Sequence, residues 1–315
     1  MPADPGADWG ADAGAGWLAR AAPYIALTAA AAFWGGTWTA ARGSYQDVSP
    51  AVMAFSRWAA AGSVLLPLLA ASLWRHRAAL RREWRTIALL SAVGAIFFNY
   101  MIFRGTQTTT AINGALLNAS VPIYIVLLSL AGVGERSTAG RIAGIAIALV
   151  GLVVVVAHGS WQRLTGLEFV EGDLWIAGAM FLWGLYTIGI RGWNSALPPL
   201  TGLAAIAAVS VFGLAPMAAV ELAYGGRLVP TAEAVYGILY VGVCGTAGAY
   251  VLWNYGIRRV GAAGGSLFLY LIPVFGAIFA VTILSEEIAL FHLAGTALIV
   301  TGILVANREG AAPGP

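Results

Sequence analysis

Three polar side chains lie inside long apolar stretches of this chain and could contact a solute there. Arg57 is six residues into one stretch, and Asn99 and Asn118 lie within two others. A charged or amide side chain in an apolar solvent is costly unless it faces protein or a wet cavity. Arg57 could pair with a substrate carboxylate, extend its long side chain to an interface with water, or bond to backbone carbonyls. The sequence leaves these three roles open.

Two prolines are placed to free backbone oxygens at a similar depth. Proline lacks an N–H, so Pro122 and Pro273 remove the donor for the carbonyls four positions earlier, those of Asn118 and Leu269. These oxygens could accept hydrogen bonds from a substrate ammonium, while Asn99 and Asn118 could bind its carboxylate. The alternative is a packed helix kink in which Asn118 bonds to a neighbouring helix. Both prolines are predicted to be structural hinges.

Aromatic residues recur on the same apolar stretches. Trp34 and Trp38 are one helical turn apart, so they share a face of one helix. One aromatic residue alone is more often packing than binding, but a set around polar side chains indicates an amphipathic solute, such as an amino acid with an apolar side chain. The predicted substrate-binding residues are Arg57, Asn99, Asn118, Trp34, Trp38, Trp183, Tyr186, Tyr250 and Tyr270.

Groups for other kinds of chemistry are missing from the sequence. No carboxylate lies near the middle of an apolar stretch, and the histidines His76, His158 and His292 are far apart. An enzyme needs convergent acid, base or nucleophilic groups, and a metal site needs clustered ligands. The sequence therefore predicts no catalytic residue, no metal site and no cofactor, and it argues against a proton-coupled cation exchanger.

Composition indicates that the solvent around these residues is a membrane. The chain is 60% hydrophobic and 10% charged, with a mean hydropathy of +0.81, whereas soluble proteins are about 45–50% apolar and about 25% charged. We therefore predict an all-α membrane protein with ten transmembrane helices. Its expected partners are the lipid bilayer and a small-molecule substrate, with no nucleic acid. The ten stretches, each able to cross about 30 Å of hydrocarbon, are 22–41, 51–73, 86–103, 111–131, 140–158, 172–190, 200–222, 234–255, 263–284 and 290–306.

The chain contains two copies of one five-helix unit, at 22–158 and 172–306. Matched glycines and prolines indicate matched turns and close helix contacts. Because five is an odd number of crossings, the second copy must lie inverted relative to the first, as in secondary transporters that alternate access around a site between the halves. A shift of 151 pairs Gly94 with Gly245, Gly105 with Gly256, Pro122 with Pro273, Glu135 with Glu286, Gly144 with Gly295 and Gly151 with Gly302, and a shift of 149 pairs Trp34 with Trp183 and Pro50 with Pro199.

Two matched carboxylates, Glu135 and Glu286, precede the last helix of each copy. A carboxylate near a helix N-terminus is stabilised by the helix dipole and by unpaired amides. We predict that both are structural hinges, like the prolines, with a gating role as the alternative.

Arginine placement predicts the orientation in the membrane. All 17 basic residues are Arg, of which twelve fall on one predicted side and four on the other. Because Arg-rich loops stay in the cytoplasm, both termini are predicted to be cytoplasmic. These termini are an expected disordered tail at 1–21 and a short tail at 307–315. The protein is expected in a bacterial inner membrane, as a monomer or weak homodimer.

Four segments of the sequence carry motifs of a known family. They are Ala32-Phe33-Trp34-Gly35, Phe55-Ser56-Arg57-Trp58, and the paired blocks from Val121-Pro122 to Glu135 and from Ile272-Pro273 to Glu286. These segments resemble the drug/metabolite transporter superfamily, specifically the EamA-type exporters. The resemblance implies a ten-helix carrier that exports amino acids and other small metabolites by alternating access. The alternatives within the superfamily are multidrug carriers and carriers of sugar phosphates or nucleotide sugars, although a sugar-phosphate site would need two or more buried cations.

The predicted topology can be tested with reporter fusions. Fusions at His76 and the C-terminus should report the cytoplasm, and fusions at Gly43 and Gly159 the opposite side, because each five-helix copy has an odd number of crossings. Paired phosphatase and fluorescent-protein reporters measure this. An external C-terminus would contradict the duplication.

Overall fold

The computed structural model describes residues 9–41, 47–109, 114, 117–118, 120–133, 138–157, 159–284 and 290–308. All regular structure in this part of the chain is helical, apart from one isolated β-bridge between Val48 and Leu228.

Helices fill the described part of the first half. This part contains eight α-helices, and a π-helix at Ala92–Ile96 lies between the fourth and the fifth. The helices are α1 (Trp9–Ala41), α2 (Pro50–Arg75), α3 (Arg77–Arg82), α4 (Trp84–Ser91), α5 (Phe97–Gly105), α6 (Val121–Leu130), α7 (Ala139–Val156) and α8 (Trp161–Thr165).

The second half follows the same pattern. A π-helix at Val243–Gly248 separates two of its helices, and a 3-10 helix at Leu267–Tyr270 separates two others. The helices are α9 (Glu171–Gly192), α10 (Pro199–Ala223), α11 (Ala232–Gly242), α12 (Ala249–Val260), α13 (Ala262–Ser266), α14 (Leu271–Leu284) and α15 (Leu290–Arg308).

Eight helical stretches of the described chain are long and apolar enough to cross a membrane. Because these helices satisfy their backbone groups internally, the chain is an all-α membrane protein, which confirms the predicted fold class. The count of ten stays a prediction, since 111–131 is described only in part.

Three segments predicted as irregular are helical. Helix α1 begins at Trp9, inside the segment expected to be a disordered tail, because that segment is rich in alanine and favours a helix. The predicted loops at 74–85 and 159–171 contain the short helices α3 and α8.

Both prolines lie at the start of a helix rather than in the middle of one. Pro122 is the second residue of α6, and Pro273 is the third residue of α14. The first turn of a helix makes no use of its N–H groups, so proline fits there without loss. The predicted kinks are therefore breaks between successive helical segments.

Helices α7 and α15 cross as an antiparallel pair whose contacts follow the repeat. A methyl group built on Gly144 would lie 2.6 Å from the carbonyl oxygen of Gly302, and one built on Gly151 would lie 2.7 Å from that of Gly295. Gly144 and Gly151 are the repeat partners of Gly295 and Gly302, so each glycine faces the partner of the other. This reciprocal pattern is that of a two-fold relation.

The same relation holds on the other side of the molecule. Gly105 packs against Ile176 of α9, and its repeat partner Gly256 packs against Leu27 of α1. Ile176 and Leu27 are themselves 149 residues apart, the shift found in the sequence. Small residues at these crossings let the helix backbones approach closely.

The two ends of the helical bundle have different hydrogen bonds. At the end where α2 begins, the Ser49 N–H donates to the Arg227 carbonyl at 3.0 Å. At the end where α10 begins, the Glu83 carboxylate accepts from the Trp193 indole at 2.9 Å and from the Ala196 N–H at 3.2 Å. Burial raises the pKa of Glu83, but these bonds, with one from Ser195, outweigh burial and lower it. We call these the Ser49 end and the Glu83 end.

The α7–α15 crossing predicts a difference between two alanine substitutions. Gly151→Ala should destabilise the protein by about 1–3 kcal/mol, because the new methyl would meet the backbone of Gly295 and Ile299, which cannot move aside. Gly192→Ala is the matched control, since nothing lies within 4 Å of a methyl built there. Apparent melting temperatures of the purified proteins should fall only for Gly151→Ala. Equal melting temperatures would contradict this packing.

Candidate functional site

A cavity lies between the two halves of the protein. It contains about 780 Å³ of space free of protein atoms, part of which is open solvent at its mouth. Its walls combine aromatic, aliphatic and a few polar side chains. The described residues of the wall are Trp34, Thr37, Arg57, Phe98, Ile102, Phe103, Thr106, Asn118, Met180, Trp183, Tyr250, Leu269 and Ile272.

The mouth of the cavity lies toward the Ser49 end. Thr37 is near the last residue of α1, Arg57 is near the first turns of α2, and Thr106 follows α5 directly. These three wall residues all belong to the half of the bundle nearest that end. The cavity therefore opens toward the Ser49 end and is closed toward the Glu83 end.

Arg57 is held against the cavity wall by neutral oxygens. Its Nε donates to the Thr246 hydroxyl at 2.9 Å, its Nη1 to the Asn99 side-chain oxygen at 2.8 Å, and its Nη2 to the Gly245 carbonyl at 3.4 Å. Arg57 is only 7% exposed, so the side chain does not extend to an interface with water. These acceptors orient the guanidinium without adding a negative charge.

Asn99 lies behind Arg57 rather than on the wall. Its side-chain oxygen accepts from Arg57, its side-chain nitrogen donates to the Ala95 carbonyl at 2.7 Å, and it is fully buried. The amide predicted to bind a substrate carboxylate is thus turned toward Arg57. Its role in this geometry is to position the guanidinium.

Four predicted aromatic residues come together at the cavity. The Trp34 and Trp183 rings meet edge to face at 5.5 Å, and Tyr250 lies 5.3 Å from Trp183. Trp34 and Trp183 are repeat partners, so this pair straddles the approximate two-fold axis. Tyr186 stacks on Trp183 at 5.1 Å, but its hydroxyl donates to Asn254 on the closed side. Tyr186 therefore closes the cavity floor and is absent from the described wall.

The two indoles of this pair have different hydrogen bonds. Trp34 donates to the Gly245 carbonyl at 2.8 Å. The equivalent acceptor for Trp183 is the Gly94 carbonyl, and the Tyr250 hydroxyl occupies it at 2.7 Å. The buried Trp183 N–H has no acceptor in the described part of the protein. Leaving such a donor unpaired costs about 1–3 kcal/mol.

The remaining predicted site residues fall into three groups. Asn118 and Leu269 line the cavity. At the end of the 3-10 segment the Leu271 N–H donates to the carbonyls of Leu269 and Phe268. Tyr270 is buried in that 3-10 segment and is not among the described wall residues. The Trp38 side chain and the residues Glu135 and Glu286 lie outside the described part of the chain.

Sequence reasoning missed several residues of the site. Thr246 fixes the Arg57 Nε, and Thr37, Thr106 and Met180 line the cavity. Threonine and methionine are common in apolar helices, so their types alone carry no signal. The repeat does carry a signal for Thr37, because Thr37 is the repeat equivalent of the predicted site residue Tyr186.

Comparisons with known proteins agree with this architecture. The profile of the EamA-like transporter family matches residues 22–157 and 170–308, once for each half. The uncharacterized transporter YyaM of Bacillus subtilis is 27% identical over 293 residues, covering 90% of this chain and 93% of the relative. A "probable terminal-alkyne amino-acid exporter" of Streptantibioticus cattleyicolor is 29% identical over 296 residues, covering 93% of this chain and 95% of the relative.

A protein whose crystal structure is solved has the same fold. It superposes with a TM-score of 0.73 at 22% identity, over 92% of this chain and 99% of that chain. With a family profile that spans both halves and relatives that are transporters over their whole length, the chain belongs to the EamA-like transporter family.

Proposed function

We propose that this membrane transporter exports small metabolites, and amino acids in particular, by alternating access around the central cavity. One observation carries the proposal: a buried guanidinium and a set of aromatic rings line one cavity on the approximate two-fold axis between inverted halves. The name of the Streptantibioticus relative, "probable terminal-alkyne amino-acid exporter", supports the choice of substrate.

The wall offers complementary surfaces to both ends of such a solute. Arg57 supplies a positive charge for a carboxylate, and Asn118 supplies an amide that can donate or accept. The Trp34, Trp183 and Phe98 rings supply an apolar surface for the side chain. A sugar-phosphate carrier would need a second buried cation, whereas Arg57 alone is charged among the described wall residues.

The inverted halves support an alternating-access cycle. On the closed side Tyr186 bonds to Asn254, and their repeat equivalents on the open side, Thr37 and Phe103, line the cavity. If each half adopted the arrangement that the other half has now, the Ser49 end would close and the Glu83 end would open. With cytoplasmic termini in a bacterial inner membrane, as we propose, the present state faces outward.

Transport should not require a proton gradient. Carboxylates in the described spans lie at helix ends. Two of them accept from backbone groups: Glu221 from the N–H groups of Ala51 and Val52, and Asp173 from that of Val170. None of the described wall residues is acidic, so we expect counterflow of labelled leucine or phenylalanine in proteoliposomes to persist at equal internal and external pH. Strict dependence on an imposed pH gradient would contradict this and would direct attention to Asp173 and Glu135.

Asn118 should matter more than its repeat partner Leu269. Asn118→Leu removes a side chain able to hydrogen bond to a charged substrate group, and such a bond is worth about 1.5–3 kcal/mol, or roughly 10- to 150-fold in affinity. Leu269→Ala removes only apolar surface and should be much milder. Counterflow rates of the two purified, monodisperse variants measure the difference. Wild-type transport by Asn118→Leu would show that Asn118 only packs.

A further inference from the structure

We propose that residues 74–85, which we call the arginine segment, form a docking surface for the headgroups of anionic phospholipids. The segment joins α2 to α4 at the Glu83 end of the bundle and contains the short helix α3. None of its residues is among the described wall residues of the cavity. The inference therefore concerns the membrane around the transporter and goes beyond the proposed transport function.

The charge of the arginine segment is the first observation. Five of its twelve residues are arginines and one, Glu83, is acidic. The arginines are Arg75, Arg77, Arg81, Arg82 and Arg85, and all five are exposed. Of these, only Arg82 forms an ion pair within the described part of the chain, with Glu83 at 3.8 Å. The segment thus presents a cluster of cations at the end of a membrane span, and such clusters attract anionic lipids.

The orientation of helix α3 is the second observation. Ala79 and Leu80 pack against the hydrophobic core of the bundle, whereas Arg77, Arg81 and Arg82 are exposed on the opposite face. A guanidinium is a planar group that can donate two parallel hydrogen bonds to the oxygens of one phosphate. The helix is therefore fixed by its apolar side and presents phosphate-binding groups on its outer side.

Two exposed tryptophans indicate the depth of the segment in the membrane. Trp74 is 70% exposed and Trp84 is 59% exposed, and exposed indoles favour the headgroup region of a bilayer. The Arg77 guanidinium lies 4.9 Å from the centre of the Trp74 ring, and that of Arg85 lies 5.6 Å from the Trp84 ring. These contacts place two of the cations beside the indoles, at the level of the lipid phosphates.

The equivalent connection in the second half shows that the fold does not require this cluster. Residues 224–231 join α10 to α11, contain no helix and include one arginine, Arg227. Arginines also fix the orientation of a membrane protein, but this effect needs only their charge. It does not need their placement on one face of an ordered helix between two exposed indoles.

A pair of lipids tests the inference on the wild-type protein. Phosphatidylglycerol and phosphatidylcholine with the same acyl chains differ in the net charge of the headgroup, and native mass spectrometry of the protein in a neutral detergent measures the binding of each. We expect phosphatidylglycerol to bind at least roughly 10-fold more tightly. The preference should shrink as the ammonium acetate concentration rises, because salt screens exposed charges. Glycerol 3-phosphate, which has the phosphate but no acyl chains, should not displace the lipid at equal concentration.

Two double variants test the arginines themselves. Arg77→Gln with Arg81→Gln should weaken binding of phosphatidylglycerol about 10- to 30-fold and leave that of phosphatidylcholine unchanged, since two cations near the lipid phosphates are lost. Arg104→Gln with Arg227→Gln is the matched control, because it removes two exposed arginines from the Ser49 end. In the α3 variant ten arginines against four remain on the predicted cytoplasmic side, so its orientation should not change.

Three outcomes would overturn the inference. They are equal binding of the two lipids by the wild-type protein, equal losses in the two double variants, and displacement of the lipid by glycerol 3-phosphate. The first would leave an acidic protein outside the membrane as the partner of the segment, and the third would make free phosphate compounds its ligand. If the α3 variant fails to fold, the lipid pair still decides. Counterflow of amino acids is a separate measurement, so failure of this inference is distinguishable from failure of the proposed function.

Discussion

The carbonyl oxygens of Gly94 and Gly245 organise the centre of the molecule. Each lies in a π-helical turn, and the two turns occupy equivalent places in the repeats. In hydrocarbon every backbone oxygen needs a donor from within the protein, and here side chains provide it: Tyr250 at Gly94, and Trp34 with Arg57 at Gly245. The position of the cation, the tilt of the aromatic rings and the unpaired indole all follow from how these two oxygens are satisfied.

The polar part of the cavity arises where the repeats differ. Arg57 is matched by Ile206 in the second half, and Asn99 is matched by Tyr250. The longer tyrosine reaches the Gly94 oxygen, while the shorter asparagine remains beside its own helix and holds Arg57. A symmetric pair of halves would present the same groups to both sides of a solute. These substitutions leave the charged residue of the described wall, Arg57, in the first half.

The sequence predicted the architecture better than the site. Long apolar stretches and glycines matched at fixed shifts are directly visible, and the contacts of Gly144 with Gly302 and of Gly151 with Gly295 follow from them. The contact of Arg57 with Asn99 could not be predicted, because it depends on helix rotation between residues 42 positions apart. The π-helical turns were also invisible, since tertiary contacts rather than residue types decide between the i→i+4 and i→i+5 patterns. The start of helix α1 was not predicted, because the glycines and aspartates of this segment indicated a tail. Its alanines have a high helix propensity, and the segment is helical from Trp9.

The crossing of α7 and α15 also has a consequence for biogenesis. Helix α7 ends at Val156 and its partner α15 begins at Leu290, so about half of the chain must be synthesised and inserted between them. Until then the glycine stripe of α7 faces lipid or transient neighbours, which pack poorly against so flat a surface. The two halves are thus joined at this crossing only after α15 has been synthesised. Any chain that stops short of α15 leaves the first half without its closest helix partner, and such a chain is a natural substrate for membrane quality control.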